Sequence, residues 1–398
     1  MPGAVWVPRK LRSHEALTAT KYLQRHGRVT CSLNGATLRL RGLRSCARSM
    51  QSQHDTLCGG GTSGVNIGGS SRDATLQATA DFIASEECQS VCILTGAGVS
   101  VAAGIPDFRS PGGMYATLRP ELITATERQR HLMASDPTYV VERSMFFANQ
   151  FPYLEVRRPF ILGIRDQQWK ATIAHRFAEQ LHQRGKLTRL YTQNIDGLDY
   201  QTTVPSDRIV PVHGTLGKVQ CEKCGADQDF ERFCSAVQQN VRDIYGEDAN
   251  APDTSTNILC AKCGSATVKP ATVLFGGSLP AEFFSLSEKD LPSCDLLVVA
   301  GTSLVVSPAN SLVARVPSST RRIVVNKEPV GMELGLQFAE GGRDSFIGGD
   351  CDTSFLELCA RLGWLSDLVK HRAALPVASQ TALDAVLEAG DASDVCPS

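Results

Sequence analysis

Two Cys-x-x-Cys pairs, Cys221-Glu222-Lys223-Cys224 and Cys260-Ala261-Lys262-Cys263, constrain this chain more than any other feature. They lie about 35 residues apart, and two such knuckles can fold together so that four thiolates complete the tetrahedral shell of one zinc ion. Four sulfurs leave no position for water, so such a metal holds the fold and performs no chemistry. A redox pair is the other use of the motif. The remaining cysteines, among them Cys92, Cys294 and Cys359, sit in apolar contexts and read as core residues. Fourteen cysteines spread through 398 residues do not describe a short secreted disulfide scaffold, and they point to a reducing compartment.

The second constraint is a Gly-rich loop. Val91 to Leu94 reads as a short buried strand that runs into Thr95-Gly96-Ala97-Gly98-Val99-Ser100 and an Ala-rich stretch ending at Gly104. Small residues there let a backbone approach a pyrophosphate at a helix N-terminus, although the same loop can serve only tight strand-to-helix packing. A dehydrogenase would show an acidic residue about 20 positions on, at the end of a second strand. Glu121 is near that distance but follows no strand, which argues against ordinary hydride transfer. The next segment, Gly104-Ile105-Pro106-Asp107-Phe108-Arg109-Ser110, reads as a loop that covers a cofactor, or else as a solvent-facing turn.

Further apolar runs at Leu187 to Tyr191, Ile209 to Val212, Thr272 to Phe275, Leu296 to Ala300 and Ile323 to Val325 read as strands. Helix-like segments at Trp169 to Gln183 and Pro308 to Val316 alternate with them, as in an α/β parallel sheet with helices on both faces. Tyr115 to Arg165 reads as helical or irregular, a candidate insertion or lid. The chain after Trp364 shows little core-forming pattern and reads as a loosely packed helix or disorder.

Two polar features fall at strand ends, where a parallel sheet places its ligands. Thr192-Gln193-Asn194-Ile195-Asp196 follows one strand and can grip hydroxyls and an amide, or merely cap the following helix. His213 ends another, before Gly214 and Thr215, and a neutral imidazole there is a candidate general base. No Gly-x-Ser-x-Gly elbow occupies a suitable strand-to-helix position, so a Ser/His hydrolase lacks support.

Charge is balanced overall, with 40 Lys and Arg against 41 Asp and Glu, which argues against a surface built to hold nucleic acid. It is uneven locally. The first fifty residues carry Arg9, Lys10, Arg12, Lys21, Arg25, Arg28, Arg39, Arg41, Arg44 and Arg48 against the single acid Glu15. That composition predicts a mitochondrial transit segment, the alternatives being a disordered basic extension or a start at Met50 in a cytoplasmic or nuclear protein. Cys58 to Ser71, rich in Gly and Ser, reads as a linker. No apolar run approaches the ~20 residues of a membrane span.

The order of these motifs, continued by Gly301-Thr302-Ser303, Asn326-Lys327-Glu328 and Gly349-Asp350-Cys351-Asp352, resembles the sirtuin family over about residues 95 to 352. The resemblance implies a Rossmann-like catalytic domain over 73–365, with a zinc-ribbon module at about 216–268 and a helical insertion at about 116–168. A basic extension over 1–72 and an acidic tail over 366–398 flank it. It implies NAD-dependent removal of acyl groups from protein lysine, with NAD consumed as co-substrate and one structural zinc on Cys221, Cys224, Cys260 and Cys263. Gly96, Ala97 and Gly98 would line the pyrophosphate, and Asp107, Phe108 and Arg109 the covering loop. Gln193, Asn194, Ile195 and Asp196 would hold the nicotinamide ribose and carboxamide. Gly301, Thr302, Ser303, Asn326, Lys327, Glu328 and Cys351 would contact the adenosine half. His213 and Asn194 would be catalytic, His213 as the base acting on a ribose hydroxyl, and Val273, Phe275 and Gly276 would receive the substrate peptide.

Three positions depart from the family pattern. Lys269-Pro270-Ala271-Thr272-Val273-Leu274-Phe275-Gly276-Gly277 lacks the carboxylates that members commonly carry where Ala271 and Gly277 stand, and Ala309 replaces a common Phe. Tyr115 is followed by Ala116, Thr117 and Leu118 and so lacks the Arg partner of acid-acyl specialists, which favours acetyl or other uncharged acyl groups. A mono-ADP-ribosyltransferase and an NAD-sensing module without turnover are the rival readings.

Overall fold

The computed structural model describes residues 32–33, 36–37, 72–107 and 113–393. Phe108 and Arg109 lie outside the described residues, as do most of the basic extension and residues 394–398. The described residues divide into two units, one holding residues 32–33 and 36–37 and a body of residues 72–107 and 113–393. Within the first, β1 (Ser32–Leu33) pairs antiparallel with β2 (Ala36–Thr37).

The body begins with helix Arg72–Ala84 and β3 (Val91–Thr95), followed by β4 (Leu187–Thr192) and β5 (Ile209–Pro211). A separate sheet of β6 (Gly214–Cys221), β7 (Asp227–Gln228) and β8 (Val268–Thr272) comes next, before β9 (Leu296–Ala300), β10 (Arg321–Asn326) and β11 (Asp344–Gly348). The main sheet is parallel throughout, in the order β11-β10-β9-β3-β4-β5. Its central strands are apolar on both sides because both faces are covered, and successive residues divide between two cores. Val91, Ile93, Leu296, Val298, Ile323 and Val325 face one core, with Phe177 and Phe355 from the covering helices. Cys92, Leu94, Leu297, Val299 and Val324 face the other, with Phe283 and Leu312. Burying each of these side chains contributes on the order of 1.5–3 kcal/mol.

The second sheet, in the order β7-β6-β8, is antiparallel. A third core joins it to the helical insertion: Phe146, Tyr153 and Leu154 pack with Leu216, Phe233, Val237 and Val268. Two insertions far apart in sequence thus make one module.

Four expectations change in the structure. The strand expected at Thr272 to Phe275 lies earlier, at Val268–Thr272, and pairs with β6 and not with the parallel sheet. β11, which was not anticipated, closes one edge of that sheet; Asp344 and Ser345 break its apolar run. The Gly-rich loop itself winds into a 3-10 helix, Ala97–Ala103, and the helix expected over Pro308 to Val316 is reduced to a 3-10 turn and Leu312–Arg315. The chain after Trp364 is packed: Leu368, Leu375 and Leu383 join the same core as Phe177, and Ser379 donates to the buried Asp352 carboxylate.

Candidate functional site

The main sheet reverses direction at β3. The chain leaves β3 toward β4 and β5, then returns on the other side to β9, β10 and β11. Such a switch point opens a crevice beyond the carboxyl ends of the strands. The Gly-rich loop after β3 meets the loop after β9 there: the Gly96 amide donates to Ala300 O at 2.9 Å and the Gly98 amide to Gly301 O at 2.8 Å. A Cβ on Gly98 would stand 2.6 Å from Gly301 Cα, and one on Gly96 2.6 Å from Thr302 Cβ. Both glycines are therefore required by loop-on-loop packing, whatever ligand the loop holds.

Each of the six parallel strands delivers expected residues to this edge. Gly96, Ala97 and Gly98 follow β3; Gln193, Asn194, Ile195 and Asp196 follow β4; His213 follows β5. Gly301, Thr302 and Ser303 follow β9, Asn326 ends β10 before Lys327 and Glu328, and Cys351 opens the helix after β11. Hydrogen bonds tie these loops together. Gln193 Nε2 donates to Thr95 O at 3.2 Å and Thr302 Oγ1 at 3.0 Å, the Gly301 amide to Val325 O at 3.0 Å, and the Gly349 amide to Asn326 O at 3.1 Å. Ser303, Lys327 and Glu328 are exposed, so they present a wettable rim. Cys351 is buried, and burial pushes its thiol up to about 12, which makes it inert at neutral pH.

Asn194 and Asp196 form a buried polar pair with Ser100. Asn194 Nδ2 donates to Gly96 O at 3.1 Å and Ser100 Oγ at 3.0 Å, and Ser100 Oγ donates to Asp196 Oδ2 at 2.7 Å. Burial raises the Asp196 carboxyl, while His175 behind it opposes the shift. A cavity of about 30 Å³, room for a water or so, is bounded by Ala97, Ser100, Ile105, Asn194, Asp196 and Arg157. Asp196 also borders a wider groove of about 700 Å³ with Trp169 and Tyr200 on its walls. Ser100 and Arg157 were not singled out from sequence. Ser100 closes the Gly-rich loop and could have been; Arg157, a buried charge on helix Phe151–Arg165, carried no sequence signal.

His213 is half-buried, with Nδ1 2.9 Å from the Gln193 carbonyl oxygen. A carbonyl can only accept, so Nδ1 carries the proton and Nε2 the basic lone pair. Burial pushes its pKa down to about 4, so the ring is neutral at physiological pH. Its own carbonyl accepts from the Val273 amide at 2.8 Å. The adjacent Gly214 has φ +77°, and a Cβ there would stand 1.9 Å from Ala271 O, so no other residue lets β8 approach this closely. The Phe275 amide donates to Val141 O and its carbonyl accepts from the Arg143 amide, so this residue's backbone is spent within the chain. Gly276, at φ +82°, turns the chain beyond it. Asp107 accepts through its carbonyl from the Met114 amide, at the two described ends of the covering loop.

The four knuckle sulfurs lie within 4.8 Å of one another, with Cys221 to Cys263 and Cys224 to Cys260 at 3.7 Å. Tetrahedral Zn–S bonds of about 2.3 Å place sulfurs about 3.8 Å apart, so the donor set fits one structural zinc ion.

Comparison with known proteins agrees with this geometry. The Sir2 family model matches residues 96–308, from the Gly-rich loop to the segment after β9. The chain is 33% identical over 343 residues to NAD-dependent protein deacetylase sirtuin-2 of Danio rerio, covering 80% of this chain and 83% of that one. It is 32% identical over 317 residues to NAD-dependent protein deacetylase sirtuin-3 of Mus musculus (79% and 84%). It is also 32% identical over 298 residues to NAD-dependent protein deacetylase hst2 of Schizosaccharomyces pombe (74% and 78%). With more than half its length matched by the family model, and relatives 32–33% identical over about three quarters of the chain or more, the chain belongs to the Sir2 family.

Proposed function

We propose that this protein is a NAD-dependent protein lysine deacylase that passes the acyl group to ADP-ribose and releases nicotinamide. The observation that carries the reading is a neutral His213 held at the carboxyl edge of the sheet beside Gln193 to Asp196. Bound NAD supplies the electrophilic ribose carbon that captures the acyl oxygen. The protein's part follows from its own groups. Gly96 to Gly98 and Gly301 to Ser303 bracket the switch point, where small residues would let a pyrophosphate come close to the backbone, although the Gly96, Gly98 and Gly301 amides are engaged within the chain. Asn194 and Asp196, locked by Ser100, would hold the carboxamide and ribose hydroxyls. Asn326, Lys327, Glu328 and Cys351, at the ends of β10 and β11, would contact the adenosine half. His213 Nε2 would take a proton from a ribose hydroxyl, a role worth about 10²–10⁴ in rate. Asp107, Phe108 and Arg109 would cover the site, excluding water. The zinc, closed by four sulfurs, supplies only structure.

Turnover of a panel of acylated lysine peptides with NAD tests the reading. Nicotinamide release matched by deacylation is expected, fastest with acetyl or another uncharged chain. Protein labelled from NAD without deacylation would assign a mono-ADP-ribosyltransferase instead, and NAD binding without turnover a sensing module. Arg157 on the cavity wall favours one second reading of the acyl group: faster turnover of a succinylated peptide would assign an acidic chain.

The acyl-lysine substrate belongs to a protein. Residues 1 to 50, with ten basic side chains named above and one acid, support delivery to the mitochondrion. No helix among the described residues is long and apolar enough to cross a membrane.

A further inference from the structure

Glu222 stands between the zinc ligands Cys221 and Cys224, and its carboxylate reaches out of the knuckle in two directions. One oxygen accepts from Arg143 Nε at 2.7 Å, and the other lies 3.1 Å from Lys269 Nζ. Lys269 is only 2% exposed and opens the segment that runs to Gly276. Its ammonium donates to two carbonyls of that same segment, Pro270 O at 3.1 Å and Thr272 O at 2.6 Å. Arg143 holds the far end: its backbone amide donates to Phe275 O at 2.9 Å, beside the Glu142–Phe275 bridge. The middle is tied to the base, because the Val273 amide donates to the His213 carbonyl at 2.8 Å.

We propose that Glu222 is a positioning residue for acyl-peptide binding, a single carboxylate that straps both ends of the 269–276 segment to the zinc knuckle. This deepens the deacylase reading and rests on it for the kinetic arm of the test. The physical reason is the cost of Lys269. A buried ammonium needs a counter-charge, and among the described residues Glu222 is the carboxylate paired with it. Burial lowers the Lys269 pKa and Glu222 opposes that shift. Without the carboxylate the ammonium would withdraw toward water or lose its proton, and either change frees the Pro270 and Thr272 carbonyls it clamps. The strap carries more weight in this chain because Ala271 and Gly277 offer no carboxylates of their own.

The test uses the full chain and two variants, Glu222→Gln and Arg143→Ala. Amide hydrogen exchange at residues 273–276 is expected to quicken in both, while β3 exchanges as before. The KM for an acetylated peptide should rise about tenfold in Glu222→Gln, and less in Arg143→Ala, with the KM for NAD and kcat within about twofold. Glu222→Asp should recover part of the loss. Unchanged exchange and peptide KM in both variants would overturn the proposal, as would a rise in NAD KM equal to that for peptide. If Glu222→Gln loses zinc, Arg143→Ala decides, since its side chain is not next to a metal ligand. A wild-type chain without NAD-dependent turnover would sink the deacylase reading, and the exchange measurement would still decide the strap.

Discussion

His213 shows how burial selects a catalytic form. Its pKa of about 4 in the folded chain lies below the ordinary value near 6.5, so the imidazole stays neutral across the physiological range. The low-pH limb of kcat/KM should therefore fall near 4 for the free enzyme, and a limb at 6.5 would count against this environment. Stability has the same sign. As pH falls from 6.5 toward 4 the unfolded chain takes up a proton that the folded chain refuses, so this residue's contribution favours unfolding progressively. His213→Ala should abolish deacylation coupled to nicotinamide release while leaving NAD-dependent thermal stabilisation in place; full activity in that variant would sink the assignment. Candidate residues were legible in sequence because each sits at a strand end next to Gly or in a polar run. Arg157 and Glu222 were not, since their importance lies in neighbours 37 to 79 positions away, Asn194 and Ser100 for the one, Lys269 and Arg143 for the other.

The elements were legible where the apolar run was unbroken, as in β3 and β9, whose burial on both faces writes itself into consecutive Val, Leu and Ile. β8 was misplaced because Val273 to Phe275 is as apolar as a strand, while Val268–Thr272 contains Lys269 and Pro270. Pairing with β6 makes that segment a strand, and Glu222 meets the charge of its buried Lys269. The zinc knuckles operate at this same scale. Cys221 ends β6 and pairs in register with Val268 of β8, so the metal should clamp the sheet that carries the 269–276 segment. Chelation should release one zinc per chain and melt this module first, read as dye-reported zinc together with faster amide exchange in β6 and β8 than in β3. Equal exchange in both sheets after zinc release would refute a module-specific role.

For the whole molecule, the fold class was legible in advance and the assembly was not. Alternation of short apolar runs with helical segments announced a parallel α/β sheet, and the ordered motifs announced the Sir2 family. The N-terminal extension is the part whose role rests on composition alone: a fusion of residues 1–57 to a fluorescent protein should concentrate in mitochondria, and diffuse fluorescence would count against it. Local sequence determined the loops, the knuckles and the central strands, because glycine conformation, thiolate spacing and two-sided burial are properties of a few consecutive residues. Tertiary structure decided the rest. It joined the 116–168 insertion and the zinc ribbon through one shared core, and it seated Leu375 and Leu383 of the acidic tail against the catalytic body. Those outcomes depend on apolar surfaces meeting across more than fifty residues of chain, which no window of sequence contains.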